Sequence, residues 1–168
     1  MTTFIIRDVT LAILVLATFL LSPAHPILQT ALGLGIGLII YQLHEWSHYL
    51  GAVATRASLT RAKAWYSPFL FSFDSQLNSR GQFIDMSWPG FATTFTCLAL
   101  LYFFRPAELW ADTAWLAALA LTGFTVVVEG PLFLWAIVRH EVPAVEIPGL
   151  GNNPVVRTIL DKLTQRHH

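Results

Sequence analysis

The sequence predicts an all-α membrane protein: four transmembrane helices, a short β-like insertion between the second and third, and a C-terminal amphipathic helix. Three observations lead there. Of 168 residues, 55% are hydrophobic and only 12% charged, with a mean hydropathy of +0.58, far too apolar and charge-poor for an ordinary soluble domain. Four apolar stretches reach the length of about 20 residues that a helix needs to cross hydrocarbon. Basic residues are distributed unevenly between the connections. The formal net charge is +0 and no basic run forms a phosphate-binding groove, so nucleic acid is excluded as a partner. Cys97 is the single cysteine, which rules out a disulfide framework within the chain.

The first stretch, roughly Phe4 to Ser22, has Arg7 near its start but no small-residue cleavage pattern, so it reads as a retained span followed by the turn SPAHP. The second runs from Pro26 to Ala54, the third from Phe83 to Phe104, and the fourth from Trp115 to Val138. With four spans, the N-terminus, the 55–82 connection and the C-terminal tail share one side. Every Lys and Arg except Arg105 falls on that side, which predicts that both termini are cytoplasmic; the membrane expected is a plasma membrane of bacterial or archaeal type. Trp110 and Trp115 then anchor the opposite interface. Gly33, Gly35 and Gly37 permit a neighbouring helix to approach the second span closely.

Within the 55–82 connection, Phe69, Phe71 and Phe73 alternate with other residues and LNSRG follows as a turn signal, predicting a short strand or hairpin near the membrane surface. The tail opens with the Pro/Gly-rich EVPAVEIPGLGNNP. It ends in VVRTILDKLTQRHH, where Val155, Val156, Ile159, Leu160 and Leu163 share one helical face. The expected organisation is a four-span domain over 1–138, with its core at 26–138, and a cytoplasmic tail with a surface helix over 139–168.

The end of the second span carries YQLHEWSHYLGA. His44 and His48, four apart, project from one face of a helix and can reach one metal ion; Glu45 lies beside the first and is free to act on a water. This is the HExxH arrangement, in which zinc acidifies a water and the glutamate takes its proton. Burying these groups in a span costs several kcal/mol unless they are partnered or bind metal. A polar cluster bonded between helices is the plainer reading, and the grouping at one depth favours a single zinc ion per chain. Depth also selects the third ligand. His44 lies about ten residues, or about 15 Å, before the cytoplasmic end of its span, and Glu129 of VVVEGP lies equally far before Arg139. Asp85 and Asp161 are the weaker candidates for the same role, and Asp112 sits at the opposite face. A lone carboxyl at the depth of Glu129 also fits a packing role, bonded to a Thr or Trp.

Taken together, HEWSHYLGA ending a span, a polar β-like insertion, a span opening with SWPGFATTF and a later acidic residue followed by glycine resemble the site-2 protease family of intramembrane zinc metallopeptidases, over about residues 26–138. The resemblance implies zinc on His44 and His48, with Glu45 as catalytic base. The alanine that commonly follows the motif is present as Ala52. The family's third ligand is usually the aspartate of an LDG motif, where this chain has VEG, so Glu129 corresponds by position. Its glycine-proline-x-x-asparagine motif is matched only by Pro89, Gly90 and Thr93, with the first two inverted and threonine in place of asparagine.

The expected function is therefore hydrolysis of transmembrane or membrane-adjacent peptides near the cytoplasmic face. Thr93 and Thr94 are candidate donors to the developing oxyanion, although threonines commonly bond back to their own helix. Pro89 and Gly90 are candidates for admitting substrate, with a bend for packing as the default. The segment around Phe69 to Phe73 either holds an extended peptide by strand addition or anchors at the interface. The alternative is an inactive pseudoprotease that serves as a membrane scaffold. A diiron enzyme needs more buried histidines, and a metal transporter needs ligands strung along the span. The implied partners are the lipid bilayer, a transmembrane protein substrate and a regulatory membrane protein.

Overall fold

The computed structural model describes residues 1–21 and 25–143. The predicted C-terminal amphipathic helix, with Asp161, lies outside the described residues. In chain order the elements are α1 (Thr2–Leu20), α2 (Pro26–Ala54), β1 (Leu59–Arg61), β2 (Phe71–Phe73), α3 (Arg80–Phe104) and α4 (Leu109–Arg139). All four helices are long and apolar enough to cross a membrane. Their outer surfaces are apolar, with side chains such as Leu14, Leu20, Phe103 and Val127 exposed, as suits helices whose surrounding solvent is hydrocarbon.

The central helix is α2, which packs against α1, α3 and α4, while α3 also meets α4. Small residues bring the backbones together. A Cβ on Gly33 would lie 2.5 Å from the Trp110 carbonyl oxygen, and one on Gly37 would lie 2.6 Å from Ala117 Cβ, so α4 approaches α2 closer than any side chain at these positions would allow. Gly35 faces Val15 of α1 instead, and Gly51 faces the Asp85 carbonyl of α3. One strip of α2 thus receives α4 along its first half, and its last turns receive α3.

Helix α2 keeps the expected bounds Pro26–Ala54, while α3 and α4 begin before the expected Phe83 and Trp115, α3 because a capping box sets its start. Helix α3 begins at Arg80, where Ser79 and Gln82 form a reciprocal capping box: Gln82 N–H donates to Ser79 Oγ at 3.3 Å and Ser79 N–H to Gln82 Oε1 at 2.8 Å. The LNSRG turn signal thus contains a helix start. Helix α4 begins at Leu109, and its polar first turn includes Asp112, which pairs with Arg105 at 3.0 Å. At the start of α2, Pro26 occupies the first turn and His25 Nδ1 accepts from Ile27 N–H at 3.3 Å. Arg80 donates to the carbonyls of Ala136 and Ile137, joining the start of α3 to the end of α4.

The insertion forms a two-stranded antiparallel sheet pairing Leu59 with Phe73 and Arg61 with Phe71. The sequence anticipated a strand around the phenylalanines and gave no separate sign of β1. Its core is Phe73, Phe83 and Met86 packed on Ala52 and Ala136, which fixes the sheet against the end of the bundle. Ala62 N–H donates to the Leu70 carbonyl and Asp74 N–H to that of Ser58. In an antiparallel ladder the bonded pairs alternate, so the main-chain groups of Phe71 and Phe73 point away from β1, toward the open rim of β2.

Candidate metal centre

Each site residue comes from a segment whose local geometry aims it inward. On α2, the four-residue spacing stacks His44 and His48 on one face, with ring centroids 4.3 Å apart and nearly perpendicular planes. His44 is fully buried, and Glu45 and His48 nearly so. Glu129 of α4 reaches both rings: its Oε2 lies 3.1 Å from His48 Nε2 and 3.4 Å from His44 Nε2, and the two Nε2 atoms are 2.9 Å apart. These ligand atoms all lie within 4.8 Å of one another and could hold a metal ion.

The outward nitrogens show what this convergence needs. His48 Nδ1 lies 2.8 Å from the Met86 carbonyl oxygen, which can only accept, so Nδ1 carries a proton and the neutral ring leaves Nε2 bare. His44 Nδ1 lies 2.8 Å from Thr94 Oγ1, which accepts in the tautomer that leaves this Nε2 bare as well. Two imidazole lone pairs and a carboxylate oxygen then face one point, an arrangement that requires a positive charge between them, either a proton or a cation. A tetrahedral ion bonded at about 2.0–2.2 Å spaces its ligands about 3.4 Å apart, close to the distances seen. Support of each imidazole through its far nitrogen is the usual way a metal-ligating histidine is oriented. The donor set therefore fits a divalent ion.

Glu45 stands beside this cluster without being part of it. It accepts from Leu70 N–H at 3.4 Å. A cavity of about 90 Å³ opens onto Glu45, His48 and Glu129, and is bounded by Phe69, Phe71 and Phe73 of the insertion and by Ser87 of α3. The space suffices for several waters or a peptide group.

The remaining predicted residues fall in different places. Gly90 abuts His48, and a Cβ there would overlap the imidazole, so the glycine makes room for the ring. Pro89 lies inside α3, where it lacks the N–H that would bond the Asp85 carbonyl. Thr94 supports His44, and Thr93 Oγ1 lies 2.7 Å from Ser47 Oγ. Neither hydroxyl borders the cavity beside Glu45. Asp85 is exposed and outside the cluster, and Asp112 pairs with Arg105 at the opposite end of the bundle.

Trp46, expected to pack on lipid or a helix, meets α1, where it donates its indole N–H to Asp8 Oδ2 at 2.7 Å, a polar partner the sequence reading did not name. Two charged residues side by side in an otherwise apolar span, Arg7 and Asp8, were the available signal. No family model, curated protein or solved structure matches this chain, so the site is read from its own residues.

Proposed function

We propose that this chain is an intramembrane zinc metallopeptidase of the site-2 protease type, hydrolysing peptide bonds of transmembrane or membrane-adjacent segments near the cytoplasmic face. The observation that carries the reading is the convergence of His44 Nε2, His48 Nε2 and Glu129 Oε2, with the carboxylate of Glu45 on the same cavity. Held by those three residues, zinc would supply the Lewis acidity that polarises a carbonyl and eases loss of a proton from water.

The chain's own groups do the rest. Glu45 accepts the proton of the attacking water and returns it to the departing amine, a role that requires a carboxylate near the reacting atoms and not committed to the metal. Thr94 and the Met86 carbonyl keep both imidazoles aimed at Glu129. A substrate helix hides its carbonyls in its own hydrogen bonds and must unwind to be cut. The open rim of β2, with the main-chain groups of Phe71 and Phe73 unpaired by β1, can take up such an extended strand. The placement of Arg56, Arg61, Lys63, Arg80 and Arg139 around the connections at this end of the bundle supports a cytoplasmic site.

Metal analysis and a cleavage assay on single-span proteins test the reading together. Wild type and Glu45→Gln should each carry one zinc per chain, His44→Ala and Glu129→Ala should lose it, and only wild type should cleave. Unchanged zinc affinity in Glu129→Ala would remove that residue from the metal. Cleavage unaffected by Glu45→Gln would sink the proposed chemistry, and zinc without cleavage of any substrate would favour the scaffold alternative.

A further inference from the structure

Away from the convergent ligands, a second polar cluster joins three elements. Arg7 of α1 donates from Nη1 to the carbonyls of Trp65 and Ser67, at 3.1 and 2.7 Å, and from Nε to Asp8 Oδ1 at 2.6 Å. Asp8 Oδ2 accepts from the indole of Trp46, the residue next to Glu45. Ser67 Oγ donates to the Phe69 carbonyl at 2.7 Å and accepts from Phe69 N–H at 3.2 Å, and Leu70 N–H meets Glu45. The links close on themselves, from α1 through the insertion to the carboxylate of Glu45 and back along α2 to α1.

We infer that Arg7 and Asp8 are positioning residues: from a helix outside the three-span core, they hold segment 65–70 and Trp46 so that the open rim of β2 keeps its place beside Glu45. The inference rests on the peptidase reading for its consequence and on the hydrogen bonds alone for its mechanics. A span that needed only to pack on α2 would do so with apolar side chains. Instead α1 carries two charged groups, with Arg7 and Asp8 side chains only 18% and 11% exposed, and their hydrogen-bonding capacity is directed at two loop carbonyls and the motif tryptophan. The Phe4 ring lies 4.9 Å from the guanidinium and packs beneath it. Arginine suits this task because its planar fork reaches a carboxylate and two carbonyls at once, which a lysine ammonium cannot reproduce. The segment it secures has no helix or long strand of its own, so its placement depends on such ties.

The test uses the full chain in detergent, comparing wild type with Arg7→Ala, Arg7→Lys and Asp8→Asn by amide hydrogen exchange over residues 65–73, zinc content, and kcat and KM on a cleaved substrate. Arg7→Ala should speed exchange in the segment and raise KM by about tenfold each, with zinc content unchanged and kcat within about twofold. Arg7→Lys should recover little. Asp8→Asn keeps an acceptor for Trp46 and should show a smaller change in the same direction. Exchange equal to wild type in Arg7→Ala would overturn the inference, as would lost thermal stability with faster exchange throughout α1 and an unchanged KM, the signature of a plain brace. Exchange is read without substrate, so an inactive wild type would remove the peptidase reading and leave exchange to decide this one.

Discussion

His48 Nδ1 on α2 lies 2.8 Å from the carbonyl oxygen of Met86 on α3, and that contact fixes which nitrogen of the ring faces Glu129. It exists because Gly90, one helical turn after Met86, leaves space for the imidazole. Gly90→Ala would drive a methyl group into the ring, turning it away from both Met86 and the convergent point. Zinc affinity should fall at least about tenfold while helix content by circular dichroism is unchanged. Gly123→Ala is the control: nothing lies within 4 Å of a Cβ there, and its zinc titration should overlay wild type.

Thr94→Val keeps the shape of the side chain and removes the oxygen that faces His44 Nδ1. Zinc should bind about 10- to 100-fold more weakly, with Thr94→Ser restoring most of the loss. Thr93→Val, which removes a partner of Ser47 and not of a histidine, should shift the same isothermal titration far less.

The close seam between α2 and α4 makes a remote prediction. Gly37→Val places branched carbons where Ala117 already sits, so α4 must move outward and carry Glu129 with it. The outcome should resemble Glu129→Ala in metal content, although Gly37 touches none of the ligands. A cysteine pair across the seam that still crosslinks in Gly37→Val would show that α4 had not moved, against this prediction.

Ser79→Ala removes one half of the capping box that starts α3. Stability should fall by about 1 kcal/mol, read as a lower unfolding midpoint in detergent, and zinc affinity of the folded protein should be retained. Ser79→Asp, which can still accept from the Gln82 N–H, should recover the midpoint.

How much of this could be read from the sequence depends on the range of each interaction. HEWSH is local: helical geometry alone puts His44 and His48 on one face, and the structure keeps that geometry. Glu129 was accessible through depth, because rise per residue is constant and both helices run to the same end of the bundle. The partners of the threonines were not, since Thr93 and Thr94 are neighbours in sequence and only the rotation of α3 decides which meets Ser47 and which meets His44. Trp46 meets a helix as expected, and its bond to Asp8 was not legible for a related reason. Its position opposite the histidines is correct, but what lies on that side is set by the register of α1 against α2, which no periodicity in α1 encodes. Strand β1 is three residues with no buried position, too short to alternate visibly.

The shortness of the sheet also limits what it can grip. With only Phe71 and Phe73 presenting main-chain groups on the open rim, a visiting strand gains no more than about four hydrogen bonds, each worth about 0.5–1.5 kcal/mol net. Such a handhold is too weak to store a guest and suits a brief visit, so any lasting choice among visitors must come from their side chains or from how easily they unwind.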